Sequence, residues 1–275
     1  MGVRFPLGAQ MHHNMSNNIK NKHSKIVITD FDGTLSEKLV NGQKVPGLIS
    51  VLMSEPGIDK NCLVEYEELF NKYHPYEQDI NLTLDQKQGF MLKWWVEVYS
   101  VLKKYKVTEK MIMASCDSPL VQLRSGVKQF FDYCNNLCIP IIIFSANGIG
   151  YNTIEYILKK NDISLTNVRI CANILHFDAN GQYASTKLPI IHSANKIGET
   201  LIKNDFIAPD QDDTECILIG DNIDDLKMSE GINFKSVTNV GFGDTLSSDF
   251  TEMFDLVLPI EAGFEKISEL VSVRV

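Results

Sequence analysis

The chain has 275 residues, 44% of them hydrophobic, with a formal net charge of −9 at neutral pH. That length admits one large domain or a core with a smaller inserted unit. The acidic balance argues against nucleic acid polymers as partners, which need a basic patch, but not against a small anion held by a local lysine and a metal ion.

Residues 1–24 are rich in Asn, His, Lys and Ser and read as a flexible tail. They contain no secretory h-region, and Pro6 stands where a myristoylation signal needs Ser or Thr. His12 and His13 read as solvated tail residues rather than metal ligands. No apolar run reaches the roughly 18 residues that span a bilayer, so no membrane partner is expected. The cysteines, Cys62, Cys116, Cys134, Cys138, Cys171 and Cys216, form neither a CxxC pair nor a zinc spacing, which fits a reducing cytoplasm. Cys134 and Cys138 lie one helical turn apart and read as small core residues on one face.

The first apolar β-branched run, Ile26-Val27-Ile28, leads into Asp30-Phe31-Asp32-Gly33-Thr34. Carboxylates at the carboxyl end of a buried strand stand where ligands bind in open α/β sheets. In an extended strand they would point to opposite faces, but a turn starting at Gly33 can bring both to one ligand. One can then attack phosphorus while the other handles a proton. Residues 45–117 follow with helical patterns at Cys62–Tyr73 and Leu84–Lys104, punctuated by Pro75, and Pro119 just beyond. This stretch interrupts a strand–helix alternation and reads as a cap over the sheet's carboxyl edge. Tyr76, Phe90, Trp94 and Trp95 offer a stacking face for a base, although helical spacing assigns at least two of them to the cap's own core.

Strand-like runs recur at Ile139–Phe144, Val168–Cys171, Cys216–Ile219, Ser236–Val240 and Leu256–Leu258. Helical segments intervene at about 118–136, 149–161, 194–204, 223–230 and 260–271. This alternation predicts an α/β fold with a parallel sheet covered on both faces. Asn180-Gly181, flanked by apolar positions, signals a hairpin. Ile143-Phe144-Ser145-Ala146 ends a strand in a hydroxyl and a flexible turn whose N–H groups suit a phosphate. Lys196 leads toward Gly220-Asp221, where another apolar run ends, and can meet phosphate charge. Asp30 and Asp221 can supply carboxylates to Mg²⁺ from neighbouring strands, with Asp225 as a buttress one turn on.

The order Asp-x-Asp-Gly-Thr, strand-Ser, Lys, Gly-Asp-x-x-x-Asp resembles the four-motif pattern of the haloacid dehalogenase superfamily. Residues Lys72 to Asp79, Phe144-Ser145-Ala146, Phe177 to Gly181, Ile191-His192 with Asn195-Lys196, and Gly220-Asp221 with Asp225-Leu226 resemble the pyrimidine 5′-nucleotidase family. That family includes cytosolic and 7-methylguanosine-phosphate-preferring members. The resemblance spans about residues 25–270. It implies a Rossmannoid core from residues 25–44 and 118–275, with a helical cap at 45–117 that carries the base pocket.

The resemblance also implies a Mg²⁺-dependent 5′-nucleotidase acting on nucleoside 5′-monophosphates. Asp30 would be the nucleophile, Asp32 the acid and base, and Ser145, Ala146 and Lys196 the phosphoryl ligands. Mg²⁺ would be held by Asp30, Asp221 and the main-chain carbonyl of Asp32, with Asp225 in support. Glu77 would read the base, with Trp94 beside it. The sequence departs from the family at Lys93, where an acidic residue is common, and at Val98, where a serine lines the base pocket; residues 36–60 match poorly. A cytoplasmic monomer is expected. The alternatives are a phosphatase of another small ester, a nucleoside phosphotransferase and, against the intact carboxylates, a non-catalytic binding scaffold.

Overall fold

The structure, a computed structural model, describes residues 23–243 and 248–272. The expected tail is therefore seen only at His23 and Ser24. These two are held rather than free: Ser24 O accepts from Glu215 N at 2.9 Å, and His23 O accepts from Thr214 Oγ1 at 2.6 Å.

Six parallel strands form one sheet in the order β10-β9-β8-β1-β4-β5. They are β1 (Lys25–Thr29), β4 (Ile141–Phe144), β5 (Val168–Cys171), β8 (Asp210–Gly220), β9 (Asn233–Gly243) and β10 (Leu256–Pro259). All six predicted runs are strands of this sheet. The central strands β1 and β4 and the second half of β8 are apolar runs because both faces are covered there. Val27, Ile141, Ile143, Ile217 and Ile219 face one apolar cluster, and Ile26, Ile28, Ile142, Phe144, Cys216 and Leu218 face the other. That is the period of two expected of a pleated strand.

The first face is covered by α5 (Val127–Asn136), α6 (Gly150–Lys160) and α8 (Glu265–Ser272). The second is covered by α7 (Gly198–Lys203) and a 3₁₀ segment, Ile223–Ser229. Two antiparallel hairpins project from the frame: β2 (Leu39–Val40) with β3 (Gln43–Lys44), and β6 (Leu175–Phe177) with β7 (Tyr183–Thr186). The second is the hairpin signalled by Asn180-Gly181.

Between β3 and α5 lies the helical insertion, α1 (Leu48–Met53), α2 (Lys60–Gln78), α3 (Leu84–Lys104) and α4 (Glu109–Ser115). Each long helix starts where a side chain satisfies free amides: Asp59 caps α2, and Thr83 with Gln86 forms a reciprocal capping box on α3. Tyr73, Met91, Trp94, Val98 and Leu102 bury the facing stripes of α2 and α3 in the same cluster that covers the sheet. Helix α3 is fixed to the frame at the loop after β4. Tyr99 donates to Gly148 O at 2.9 Å, and Trp95 lies so close that a Cβ on Gly148 would come within 2.0 Å of its ring.

Four local expectations are corrected. Pro75 lies inside α2 rather than ending it. The helix expected from 118 starts only at Val127, after Gly126 in the left-handed region (φ 77°). Segment 194–204 splits into the 3₁₀ turn Ser193–Asn195 and α7. Cys134 is buried, but Cys138 lies beyond the end of α5 with φ 56° and is exposed, so the two do not share a helical face.

Candidate active site

The carboxyl ends of β1, β4 and β8 meet at the centre of the sheet. The ladder runs one residue past β1, where Asp30 N donates to Ile219 O at 2.9 Å, which anchors the Asp30 main chain. Gly33 then turns the chain with φ +78°. A side chain there would meet Asp221, whose Oδ2 lies 2.7 Å from an added Cβ, so the glycine permits both the turn and the close approach.

Lys196 is buried and donates to Asp30 Oδ1 and, at 2.7 Å, to Asp225 Oδ1. The other oxygen of Asp225 accepts from Asp221 N and Asn222 N, both at 3.0 Å. Asp225 thus ties the lysine to the turn after β8. Burial alone would lower the Lys196 ammonium, but Asp225 and Asp30 outweigh it and hold it charged. Burial pushes the Asp30 carboxyl up; Lys196 opposes that, and the neighbouring carboxylates Asp225, Asp221 and Asp32 add to it. A cation would relieve this crowding.

Oxygens of Asp30, Asp221 and Asp225 all lie within 4.8 Å of one another. Hard carboxylate donors in that arrangement suit a divalent cation that completes its shell with water and phosphate oxygens. The Asp32 side chain stands outside this trio. It accepts from Asn147 Nδ2 at 3.0 Å. Burial raises its carboxyl to about 6, against the lowering effects of Asn147, Lys196 and the Leu48 main-chain N–H at the start of α1. A carboxyl near 6 can both give and take a proton close to neutral pH.

Ser145 follows β4 directly and is fully buried, with its hydroxyl accepting from Asn147 N at 3.1 Å. Its own proton remains to donate, and half-buried Ala146 follows at the same turn. Asn173, also buried, joins this loop to the lysine loop. It donates to Asn147 O at 3.0 Å and Ile191 O at 2.8 Å, and accepts from Ile191 N at 2.8 Å.

The structure thus gathers Asp30, Asp221, Asp225 and Lys196. Trp94 lies inside the insertion's aromatic stack, its ring 6.3 Å from Tyr73 and 6.0 Å from Trp95, with its Nε1–H buried and unpaired. Glu77 is half-buried in the last turn of α2. Lys87 donates to its main-chain carbonyl at 3.0 Å, and among the described residues its carboxylate has no partner.

Sequence reasoning missed four residues. Two of them are Asn147 and Asn173, which carry no motif of their own. Arg124 is buried, donating to Thr34 O at 2.9 Å, Gly33 O at 2.6 Å and Ala262 O at 3.1 Å, so it braces the turn after Asp32. Lys38 donates to Asp221 Oδ2 at 2.5 Å. Its place was signalled by Asn41-Gly42, the two-residue turn of the β2–β3 hairpin that it leads into.

A parallel α/β sheet with a helical insertion and an acid group at its carboxyl edge is the frame of haloacid-dehalogenase-type phosphohydrolases. A solved phosphoserine phosphatase, described as a phospho-aspartyl intermediate analogue, shares this fold. Its TM-score is 0.52 at 16% identity, over 90% of this chain and 97% of that one. The likeness is stronger to a crystal structure of cytosolic 5′-nucleotidase IIIB bound to cytidine, with TM-score 0.76 and 23% identity over 90% of this chain and 85% of that one.

Residues 33–273 match the family model described as pyrimidine 5′-nucleotidase (UMPH-1), and the chain belongs to that family. It is a 5′-nucleotidase, a phosphoric monoester hydrolase. Its relatives include the 7-methylguanosine phosphate-specific 5′-nucleotidase of Mus musculus, 32% identical over 89% of this chain and 82% of the relative. The Homo sapiens protein of the same name is 30% identical over the same shares. Among the described residues, no helix is long and apolar enough to cross a membrane.

Proposed function

We propose that the chain hydrolyses nucleoside 5′-monophosphates whose base carries an amino donor or a positive charge, cytidine and 7-methylguanosine monophosphates above all. The observation that carries this is the buried Asp30–Lys196–Asp225 network at the sheet edge, paired with the unpartnered carboxylate of Glu77 in the insertion. Asp30 Oδ attacks phosphorus, and the 5′-oxygen leaves with the proton of Asp32. Asp32 then takes a proton from water, which attacks the same phosphorus and frees Asp30. Lys196, the Ser145 hydroxyl and the Ala146 main chain hold the phosphoryl oxygens as charge develops.

Asp30, Asp221, the Asp32 carbonyl and, in support, Asp225 are the residues to hold Mg²⁺. When bound, the ion screens the nucleophile from the phosphate dianion. Residues 45–117 act as the cap that closes over the core of 25–44 and 118–275. Glu77 accepts from the amino group of cytosine or pairs with the cationic 7-methylguanine ring, and Trp94 supports the stacking face. The chain is proposed to act as a monomer. The cytosolic relative supports a cytoplasmic setting.

The test is phosphate release from CMP, UMP, AMP, GMP and 7-methyl-GMP with Mg²⁺ present. CMP or 7-methyl-GMP should lead UMP, whose base has neither an amino group nor a positive charge, in kcat/KM by about tenfold or more, the scale set by one satisfied polar contact. Equal rates across the panel would reduce the reading to a phosphatase that ignores the base.

A further inference from the structure

The acid group carries two ammonium groups, and they differ. Lys196 is locked between Asp30 and Asp225 at about 9% side-chain exposure. Lys38 comes from outside the four motifs, at the base of the β2–β3 hairpin, and is 26% exposed. Its Nζ donates to Asp221 Oδ2 at 2.5 Å and to Asp221 O at 3.5 Å, while Thr34 Oγ1 reaches the other carboxylate oxygen at only 3.4 Å. Lys38 is therefore the main partner of the one carboxylate in the trio that Lys196 does not touch.

The charges give this contact meaning. Asp30, Asp32, Asp221 and Asp225 set four carboxylates against two ammonium groups. Fully ionised, they leave two negative charges, the complement of one divalent cation. With Lys38 absent the deficit is three, and a cation is drawn in more strongly. Lys38 also has somewhere to go. A cavity of about 180 Å³ opens beside it, lined by Asp32, Gly33, Lys44, Leu48, Val121 and Asp221. The hairpin that carries it turns at Asn41-Gly42, both with positive φ, and keeps Lys38 O bonded to Val45 N at 2.9 Å. The side chain can thus leave Asp221 without unfolding the hairpin.

We propose that Lys38 sets the cation affinity of the site by competing with the divalent ion for Asp221. It holds the carboxylate while the site is empty and cedes it, wholly or in part, when the ion enters. Lys38 is a positioning residue in this reaction, since it acts through Asp221. The proposal rests on the metal-dependent reading given above.

The experiment is calorimetric titration of Mg²⁺, repeated with Mn²⁺ followed by electron paramagnetic resonance, into nucleotide-free protein. Wild type, Lys38→Met and Lys38→Arg are compared, each checked for native circular dichroism. Lys38→Met keeps the aliphatic stem and loses the charge. Its Kd should fall by about tenfold, within the usual range of coupling between two ligands that share a site. Lys38→Arg keeps the charge and should stay near wild type. A Kd for folded Lys38→Met that is unchanged or weaker overturns the proposal, because Lys38 would then be idle or would help to orient Asp221 for the ion. Wild type that binds neither ion would overturn the metal-dependent reading itself and the proposal with it, so the two failures are distinct.

Discussion

The floor of the site and the insertion above it treat polar groups in opposite ways. On the floor every carboxylate has a protein partner: Asp30 and Asp225 share Lys196, Asp221 holds Lys38, and Asp32 holds Asn147. In the insertion the Glu77 carboxylate has none among the described residues, and the Trp94 Nε1–H is buried without an acceptor. A group that must act on every substrate gains from being oriented before substrate arrives, since no reorganisation is then needed during the reaction. A group that must tell one base from another discriminates best when only the right ligand satisfies it, because a buried polar atom left unpaired carries a penalty. The proposed function accordingly puts chemistry on the floor and choice in the insertion.

That division can be broken first at its strongest point. Asp30→Asn removes the attacking charge and one carboxylate of the cation group. It should lower kcat by at least about three orders of magnitude, roughly 4 kcal/mol in the barrier, because members of a catalytic unit fail together. The loss should be the same for a nucleotide and for p-nitrophenyl phosphate, measured as phosphate release at saturating substrate. A loss confined to the nucleotide would move Asp30 out of the floor's common chemistry.

A smaller effect separates the two regions by pH. His192 sits in the loop leading to Lys196 and is 3% exposed. Burial lowers its pKa to about 4, from an unfolded value near 6.5. The unfolded chain therefore binds the proton first, and stability falls as the pH drops from about 6.5 towards 4. At pH 5.5 this group alone should remove about 1 kcal/mol relative to pH 8. His192→Gln should flatten that part of the profile in urea melts followed between pH 8 and 5.5. An unchanged slope would show that other groups carry the acid sensitivity.

The two regions were also unequally legible. The centre of the sheet was readable because both of its faces are buried, so β1, β4 and the second half of β8 are apolar runs followed at once by Asp30, Ser145 and Asp221. The spacing of Asp225 from Asp221 put the two close together, but nothing in it showed that the two oxygens of Asp225 would divide between Lys196 and the turn amides. Long-range polar braces leave no such trace. A lone Arg124 or Lys38 reads as a solvated surface charge, and the bond from Asn147 to Asp32 spans 115 residues. Cys138 was misplaced because α5 ends at Asn136, two residues short of the spacing argument. In the insertion the aromatic spacing separated helix core from ligand face only in part, since Trp94 stacks within α2 and α3 while Tyr76 lies on Phe90 at 4.1 Å nearer the outside.

The division of labour is tested most directly by kcat/KM of wild type and Glu77→Ala on the preferred nucleotide and on p-nitrophenyl phosphate, which has no base to read. Removing one partner of a buried hydrogen bond costs about 1–3 kcal/mol, so the nucleotide should lose roughly 5- to 150-fold. The simple ester should be unaffected within about twofold, because the Asp30, Asp32 and Lys196 contacts are untouched. Equal losses on both substrates would contradict the account, placing Glu77 in the structure of the insertion and leaving base choice without its reader.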